Sequence, residues 1–186
     1  LDRTSSSDHT GRVDELTLRE LHQVHVGYPS KFGEEFTAEP LPTLADALAC
    51  ANGRIKVCVE IKVSGIEEAI VRDIRAQSMA SEVVVFSFLP DVLRQVHELA
   101  PELPLLFLKD QASVQDLLRC SELNAGAIGV GGKTTLDAAF VQAAREADIQ
   151  IWRWTVDELD EMRNMLAVPV HGLISNCPDK ALGLLE

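Results

Sequence analysis

Two charged side chains, Glu60 and Lys62, stand two positions apart at the end of a largely apolar segment, residues 55–61. A β-strand places alternate side chains on one face, so both would point the same way. At the carboxyl end of a buried strand, a carboxylate can bind a hard cation and a lysine can neutralise a phosphate oxygen. The alternative is an ion pair that merely ends a strand. The pattern favours a site for a phosphate-bearing small molecule.

The two tryptophans of the chain lie in a second predicted strand, residues 149–156. Alternation puts Trp152 and Trp154 on one face and Arg153 on the other. One tryptophan can belong to the core. Trp154, which is nearer the carboxyl end, can instead line a pocket for a small polyol or a lipid headgroup. Strand position alone leaves both options open.

A glycine-rich run at residues 126–135 suggests a phosphate-binding P-loop at first sight. The pattern G-x-x-x-x-G-K-[ST] requires glycine at position 127, however, and this sequence has Ala127 there. We therefore interpret the run as a strand-to-helix connection in which Thr134 or Thr135 caps the next helix.

Strand and helix patterns alternate from residue 55 onward. Strands are predicted at 55–61, 82–88, 104–108, 125–130, 149–156 and 170–175, and helices at 66–78, 90–99, 114–118, 136–147, 159–166 and 179–185. Continuous apolar runs at 83–86 and 105–108 are typical of parallel strands covered by helices. Repeats of this length suit either an open doubly wound sheet or a barrel. Because a complete (β/α)8 barrel typically needs ~250 residues, six units with a truncated start fit an α/β TIM barrel that lacks its first two strands.

The segment before this alternation, residues 1–43, is polar and rich in turn-forming residues, with a short helical pattern at 17–24. We expect an insertion-like segment within a single domain that spans residues 1–186. Thr43 suits the N-cap of a helix that begins at Leu44 and stops near Asn52. The polar start at Leu1 indicates a chain entered part-way, and no compartment is predicted.

Composition narrows the partners. A net charge of −12 argues against nucleic acid and anionic membrane surfaces, which would be repelled. No apolar window approaches the ~18 residues of a membrane span.

The four cysteines form no CxxC pair, so we expect small buried side chains rather than a zinc site. The histidines show no HExxH spacing. Oligomeric state is not predicted.

Several short motifs, in this order and spacing, resemble the glycerophosphodiester phosphodiesterase family. They are Leu1-Asp2-Arg3-Thr4, Thr17-Leu18-Arg19-Glu20-Leu21, Pro42-Thr43-Leu44, Glu60-Ile61-Lys62, Ser87-Phe88, Trp154-Thr155-Val156 and Gly172-Leu173-Ile174-Ser175-Asn176-Cys177-Pro178-Asp179. Each motif is weak alone, but their combination is specific.

The resemblance implies a TIM barrel that hydrolyses glycerophosphodiesters to glycerol 3-phosphate and an alcohol with a divalent cation, Ca2+ or Mg2+. It implies that Glu60 is a metal ligand, that Lys62 lies near the phosphate, and that Trp154 lines the pocket beside the glycerol. The family's two catalytic histidines and its first two metal carboxylates would precede Leu1, so we expect the chain alone to be inactive. His9 follows the motif Leu1-Asp2-Arg3-Thr4, whereas the family's catalytic histidines precede it, so we assign His9 no catalytic role.

Two positions depart from the family pattern: Asn176 and His25 stand where an aspartate is usual. Two alternatives remain open. One is a barrel without catalysis that acts as a binding or interaction module. The other is a TIM-barrel phosphodiesterase of the phosphatidylinositol-specific phospholipase type, which explains fewer of the motifs.

Overall fold

The structure is a computed structural model that describes residues 11–184 of the chain. The described residues form two compact units, one ending at Gly53 and the other beginning at Arg54. The first of the family-like motifs, Leu1-Asp2-Arg3-Thr4, lies outside the described residues, as does His9.

The first unit consists of short helices and turns. Its elements are 3-10 turns at Val13–Glu15 and Glu34–Phe36 and helices α1 (Leu18–Leu21), α2 (Pro29–Phe32) and α3 (Leu44–Ala51). Thr43 is the N-cap of α3, as predicted, and forms a reciprocal capping box with Asp46. Helix α1 is shorter than the pattern at 17–24 predicted: it is a single turn that begins at a capping box between Thr17 and Glu20 and has His22 as its C-cap.

The second unit alternates strands and helices without interruption. Its elements are β1 (Val57–Glu60), α4 (Glu67–Ala76), β2 (Val83–Ser87), α5 (Pro90–Leu99), β3 (Leu105–Lys109), α6 (Val114–Glu122), β4 (Ala127–Val130), α7 (Ala138–Glu146), β5 (Gln150–Arg153), α8 (Leu159–Leu166), β6 (Gly172–Leu173) and α9 (Pro178–Leu182). No helix among residues 11–184 is long and apolar enough to cross a membrane.

The six strands form one parallel sheet in the order of the sequence, from β1 to β6. This arrangement confirms the predicted β/α alternation. All the strands except β3 are shorter than predicted, because pairing ends before the apolar pattern does. Residues 170–175, for example, contribute only Gly172 and Leu173 to the ladder with β5.

One face of the sheet forms an apolar cluster like the interior of a barrel. It consists of Phe86, Leu106, Leu108 and Ala127, with Val84, Trp152, Trp154 and Ile174 packed against them. The opposite face supplies other buried residues, including Val85, Phe107 and Ile151. Both faces of the central strands are therefore apolar, which explains their continuous apolar sequence.

Strand β1 departs from the expectation of burial. Only Val59 of its residues is buried, while Cys58 and Glu60 are exposed, because β1 pairs with a neighbour on one side only among the described strands. The expectation for the cysteines is also wrong in part. Cys50 and Cys58 are exposed and only Cys120 is fully buried, where burial raises the pKa of its thiol to about 12.

Candidate active site

Glu60 and Lys62 form an ion pair at the carboxyl end of β1. The Lys62 ammonium lies 2.5 Å from a Glu60 carboxylate oxygen, and 49% of the Lys62 side chain and 31% of the Glu60 side chain are exposed. The prediction that the two side chains point the same way is confirmed. Both side chains reach solvent, so the pair does not carry the cost of a fully buried charge.

The carboxyl ends of β1 and β2 are joined by a buried serine. The Ser87 hydroxyl donates to the Ile61 carbonyl at 2.7 Å and accepts from the Leu89 amide at 3.0 Å. This fixes the backbone between Glu60 and Lys62 against the start of α5. The next loop is held by Glu67, which is buried and accepts from the Gly65 amide at 2.7 Å.

Trp154 lies just beyond β5 and contacts an aromatic residue that follows β2. Its ring is perpendicular to that of Phe88, with centroids 5.6 Å apart. One layer below, Trp152 meets Phe86 in the same way at 5.8 Å. Phe86 is the register partner of Glu60. The Trp154–Phe88 pair therefore connects β5 to the strand next to Glu60.

Two glycines leave room for these tryptophans. A Cβ on Gly172 would lie 2.7 Å from the Trp152 ring. A Cβ on Gly129 would lie 3.5 Å from the Trp154 ring and less than 3 Å from Leu106 and Leu108. Trp154 is half-buried, and its indole nitrogen is buried without a hydrogen-bond partner within residues 11–184.

An apolar cavity of about 820 Å³ lies on the open side of the sheet. Its lining includes Cys58, Phe86, Trp152 and Met162, but not Glu60, Lys62 or Trp154. Most of the lining is apolar, but it also includes Lys56 and His171, which directly precede β1 and β6. The cavity is therefore distinct from the ion pair at the carboxyl end of β1.

The glycine-rich loop after β4 is anchored from behind by Arg153. This guanidinium is 7% exposed and donates to the carbonyls of Gly131, Thr134 and Gly132 at 2.7, 2.9 and 3.1 Å. Arg153 lies on the face of β5 opposite to Trp152 and Trp154, as predicted. The sequence pattern gave no sign of its partners, which are backbone carbonyls about twenty positions away.

The predicted threonine cap of the next helix is wrong. Asp137 is the N-cap of α7 and accepts from the Phe140 amide at 2.8 Å. Thr134 instead accepts from the Ala112 amide at 2.9 Å, which joins the loops after β3 and β4. Lys133 pairs with Asp110 across the same two loops.

Asp157 connects the segment after Trp154 to the segment after β6. Its carboxylate accepts from the Ser175 hydroxyl at 3.1 Å, the Asn176 amide at 2.7 Å and the Asn176 side-chain nitrogen at 2.9 Å. The hydrogen bonds from Asn176 lower the pKa of Asp157 from its ordinary value of 3.8. The departure from the family pattern at position 176 is thus an amide that binds a carboxylate.

The two histidines of the second unit do not lie at the carboxyl end of β1 with Glu60. Within residues 11–184 no three His, Cys, Asp or Glu side chains are grouped so that they could hold a metal ion. His97 belongs to α5, and His171 precedes β6, where its Nδ1 accepts from the Ile151 amide at 3.1 Å. His171 therefore lies at the amino end of its strand, opposite to Glu60.

The sequence profile of the glycerophosphoryl diester phosphodiesterase family matches residues 1–180. The chain belongs to this family. The glycerophosphodiester phosphodiesterase of Caldanaerobacter subterraneus subsp. tengcongensis is 27% identical over an alignment of 192 residues that covers 100% of this chain and 77% of that protein. The glycerophosphodiester phosphodiesterase of Bacillus subtilis is 27% identical over 199 residues, covering 96% of this chain and 67% of that protein.

Solved structures of this family share the fold. An Oleispira antarctica phosphodiesterase in complex with the product sn-glycerol-3-phosphate matches with a TM-score of 0.84 at 18% identity, covering 97% of this chain and 75% of that one. A glycerophosphodiester phosphodiesterase from Agrobacterium tumefaciens matches with a TM-score of 0.79 at 19% identity, covering 98% and 78%. The predicted TIM-barrel class is confirmed, with six parallel strands of the barrel in the described residues.

Proposed function

We propose that the carboxyl end of this sheet binds a glycerophosphodiester and serves its metal-dependent hydrolysis to sn-glycerol 3-phosphate and an alcohol, the reaction of a phosphoric diester hydrolase. The observation that carries the proposal is the Glu60–Lys62 pair at the end of β1 in a chain of the glycerophosphoryl diester phosphodiesterase family. The product bound to the Oleispira antarctica relative supports the substrate class.

Each residue has a distinct part in this proposal. The Lys62 ammonium is exposed and can leave Glu60 to neutralise a phosphate oxygen, since a compact point charge suits a phosphate. Trp154 offers a rigid aromatic wall for the glycerol carbons, supported from behind by Phe88. Glu60 presents carboxylate oxygens, the ligand type that Ca2+ and Mg2+ prefer.

The described residues fit a divalent cation only in part. Glu60 is a single carboxylate, and no group of three candidate ligands exists between residues 11 and 184. A bound Mg2+ takes six oxygens, several of them from water and substrate phosphate, and Ca2+ takes six to eight. We therefore propose Glu60 as one ligand of the cation.

General acid–base groups are the second requirement. Hydrolysis needs a proton donor for the leaving alcohol and a base for water, and histidine most often supplies both. The histidines of α5 and of the amino end of β6 are misplaced for this purpose. We accordingly propose that the 186 residues alone bind the phosphodiester without turning it over.

The test is hydrolysis of sn-glycero-3-phosphocholine by the protein expressed from the complete open reading frame that contains these residues. We expect release of sn-glycerol 3-phosphate that EDTA abolishes and that Mg2+ or Ca2+ restores. Glu60→Gln should lower turnover by at least about tenfold and raise the cation concentration needed for half-maximal rate. Cys58→Ser, an exposed substitution on the same strand, is the matched control.

A binding module without catalysis is the second candidate. The observation that favours it is the absence of grouped metal ligands in the part of the chain that the structure describes. The same assay separates the two candidates. Turnover that survives EDTA unchanged, or no turnover by the complete protein, would reject the metal-dependent hydrolase. Saturable binding of sn-glycerol 3-phosphate by the complete protein, with no turnover of glycerophosphocholine, would establish the module.

A further inference from the structure

Asp157 stands three residues after Trp154, and both of its oxygens are occupied by one neighbouring segment. One oxygen accepts from the Ser175 hydroxyl at 3.1 Å and the Asn176 amide at 2.7 Å. The other accepts from the Asn176 side-chain amide at 2.9 Å. All three donors belong to Ser175 and Asn176, the second and third residues after β6.

The segments that follow β5 and β6 stay hydrogen-bonded to each other beyond the two strands, and the bonds of Asp157 are the last of this series. The Ile174 amide donates to the Arg153 carbonyl at 2.9 Å, and the Val156 amide donates to the Ile174 carbonyl at 3.0 Å. Val156 itself is fully buried. Since β6 has only two residues, the segment from Arg153 to Asp157 depends on these contacts for its path.

Trp154 lies inside this series. Its amide donates to the Val130 carbonyl at 3.0 Å, and its ring lies against Phe88 and Gly129. The position of the Trp154 ring therefore depends on its packing and on hydrogen bonds of the backbone before and after it. The Asp157 carboxylate makes the last of these hydrogen bonds before α8 begins.

We propose that Asp157 is a positioning residue that fixes the Trp154 ring at the mouth of the site by binding Ser175 and Asn176. The inference rests on the proposed function, because that proposal makes Trp154 the wall of the substrate pocket. Asn176 is the reciprocal partner, and the contact requires one carboxylate and one amide rather than a particular order of the two.

The test uses Asp157→Ala, the exchanged double variant Asp157→Asn with Asn176→Asp, and Asp160→Ala as a matched control. Asp160 is exposed and its carboxylate pairs with Arg163 of the same helix, so its loss leaves the Trp154 segment untouched. The readout is the pair of indole N–H signals in 1H–15N spectra of the 186-residue chain, assigned with Trp152→Phe.

We expect Asp157→Ala to shift or broaden the Trp154 signal and to leave the Trp152 signal in place. The exchanged variant should return the Trp154 signal to its wild-type position, and Asp160→Ala should move neither. In the complete protein, Asp157→Ala should raise KM for glycerophosphocholine on the order of fivefold with kcat unchanged, because a pocket wall contributes to ground state and transition state alike.

A Trp154 signal that Asp157→Ala does not move overturns the proposal. A Trp154 signal that stays displaced in the exchanged variant also overturns the proposal. This second outcome can be measured even if Asp157→Ala fails to fold. Lack of turnover in the wild-type complete protein would reject the proposed function instead, while the indole signals of the chain would still decide the role of Asp157.

Discussion

At the scale of single residues, the candidate site depends on small side chains as much as on charged ones. Gly129 lies in β4 beneath Trp154, and an added Cβ would approach Leu106 and Leu108 at 2.8 and 2.7 Å. Such distances force neighbouring side chains to move. The space that Gly129 leaves is therefore filled by Leu106 and Leu108, while Trp154 lies at ordinary contact distance.

We predict that Gly129→Ala destabilises the chain by about 1–3 kcal/mol, the usual cost of overpacking a core. Gly126→Ala is the control, because a Cβ there meets nothing within 4 Å. Urea unfolding followed by tryptophan fluorescence measures both. Equal stability of the two variants would mean that the space beneath Trp154 is not tightly packed.

The sequence predicted the direction of these side chains better than their environment. The two-residue period of a strand correctly placed Glu60 beside Lys62 and Trp152 beside Trp154. The exposure of Glu60 was missed, since an apolar strand sequence does not tell an edge from a centre. Asp157 was missed because its partners are 18 and 19 residues further along the chain.

At the scale of elements, the loops at the carboxyl ends of the strands are held by side chains from the opposite face of the sheet. Arg153 of β5 binds three carbonyls of the loop after β4 and is almost fully buried. Removing it leaves those carbonyls without their donor in a region with little water.

We predict that Arg153→Met lowers the free energy of unfolding by about 2–4 kcal/mol, because it leaves several buried acceptors unsatisfied. Arg153→Lys should recover only part of the loss, since an ammonium lacks the planar fork of a guanidinium. Arg163→Met in α8, where Arg163 is 59% exposed, is the control. Denaturant unfolding that ranks Arg153→Met with the control would contradict this role.

The loop after β3 gives a prediction about pH. Burial raises the pKa of Asp116, but hydrogen bonds from the Ser113 backbone and from Lys109 outweigh it and hold the pKa below the ordinary 3.8. The folded form thus favours the carboxylate. Its contribution to stability is present above the unfolded pKa and is lost as pH falls through the lower, folded pKa.

We therefore expect Asp116→Asn to be less stable than the wild type near neutral pH and to match it progressively as pH falls below about 4. Urea midpoints measured across this range test the expectation. Asp91→Asn, in the first turn of α5 and 88% exposed, should show a smaller gap at every pH. A gap for Asp116→Asn that widens on acidification would contradict the sign.

Elements were predicted more securely than their ends. The alternation of six strands and six helices after residue 54 was correct because periodicity and length separate the two classes. The ends shifted by at most four residues, and α5 and α8 have the predicted bounds. Helix α6 extends to Glu122 rather than ending near residue 118, since its polar residues face solvent and conceal the helical period.

At the scale of the whole molecule, the chain was predicted to be one domain, and the described residues form two compact units that meet in sequence at Gly53 and Arg54. We propose a single cooperative domain. The sole tyrosine, Tyr28, belongs to the first unit, and both tryptophans belong to the second. Fluorinated tyrosine and tryptophan can therefore report the two units separately in 19F spectra.

A single domain predicts that the tyrosine and tryptophan signals change with the same midpoint in urea, since coincident transitions are the mark of two-state unfolding. The fluorine-labelled variant Trp152→Phe is the control. In it, the signal of Trp154 alone should change with the same midpoint as the tyrosine signal. Tyrosine signals that reach their unfolded position well before the tryptophan signals would establish two domains.

The most direct test of the account is binding of sn-glycerol 3-phosphate to the 186-residue chain, measured by calorimetry in the presence of Mg2+. We predict saturable binding that Lys62→Met weakens by about tenfold or more, the worth of one charge-assisted hydrogen bond. Lys56→Met, which removes an exposed lysine at the amino end of the same strand, should bind like the wild type. No binding, or equal affinity of the two lysine variants, would contradict the assignment of the site to Glu60 and Lys62.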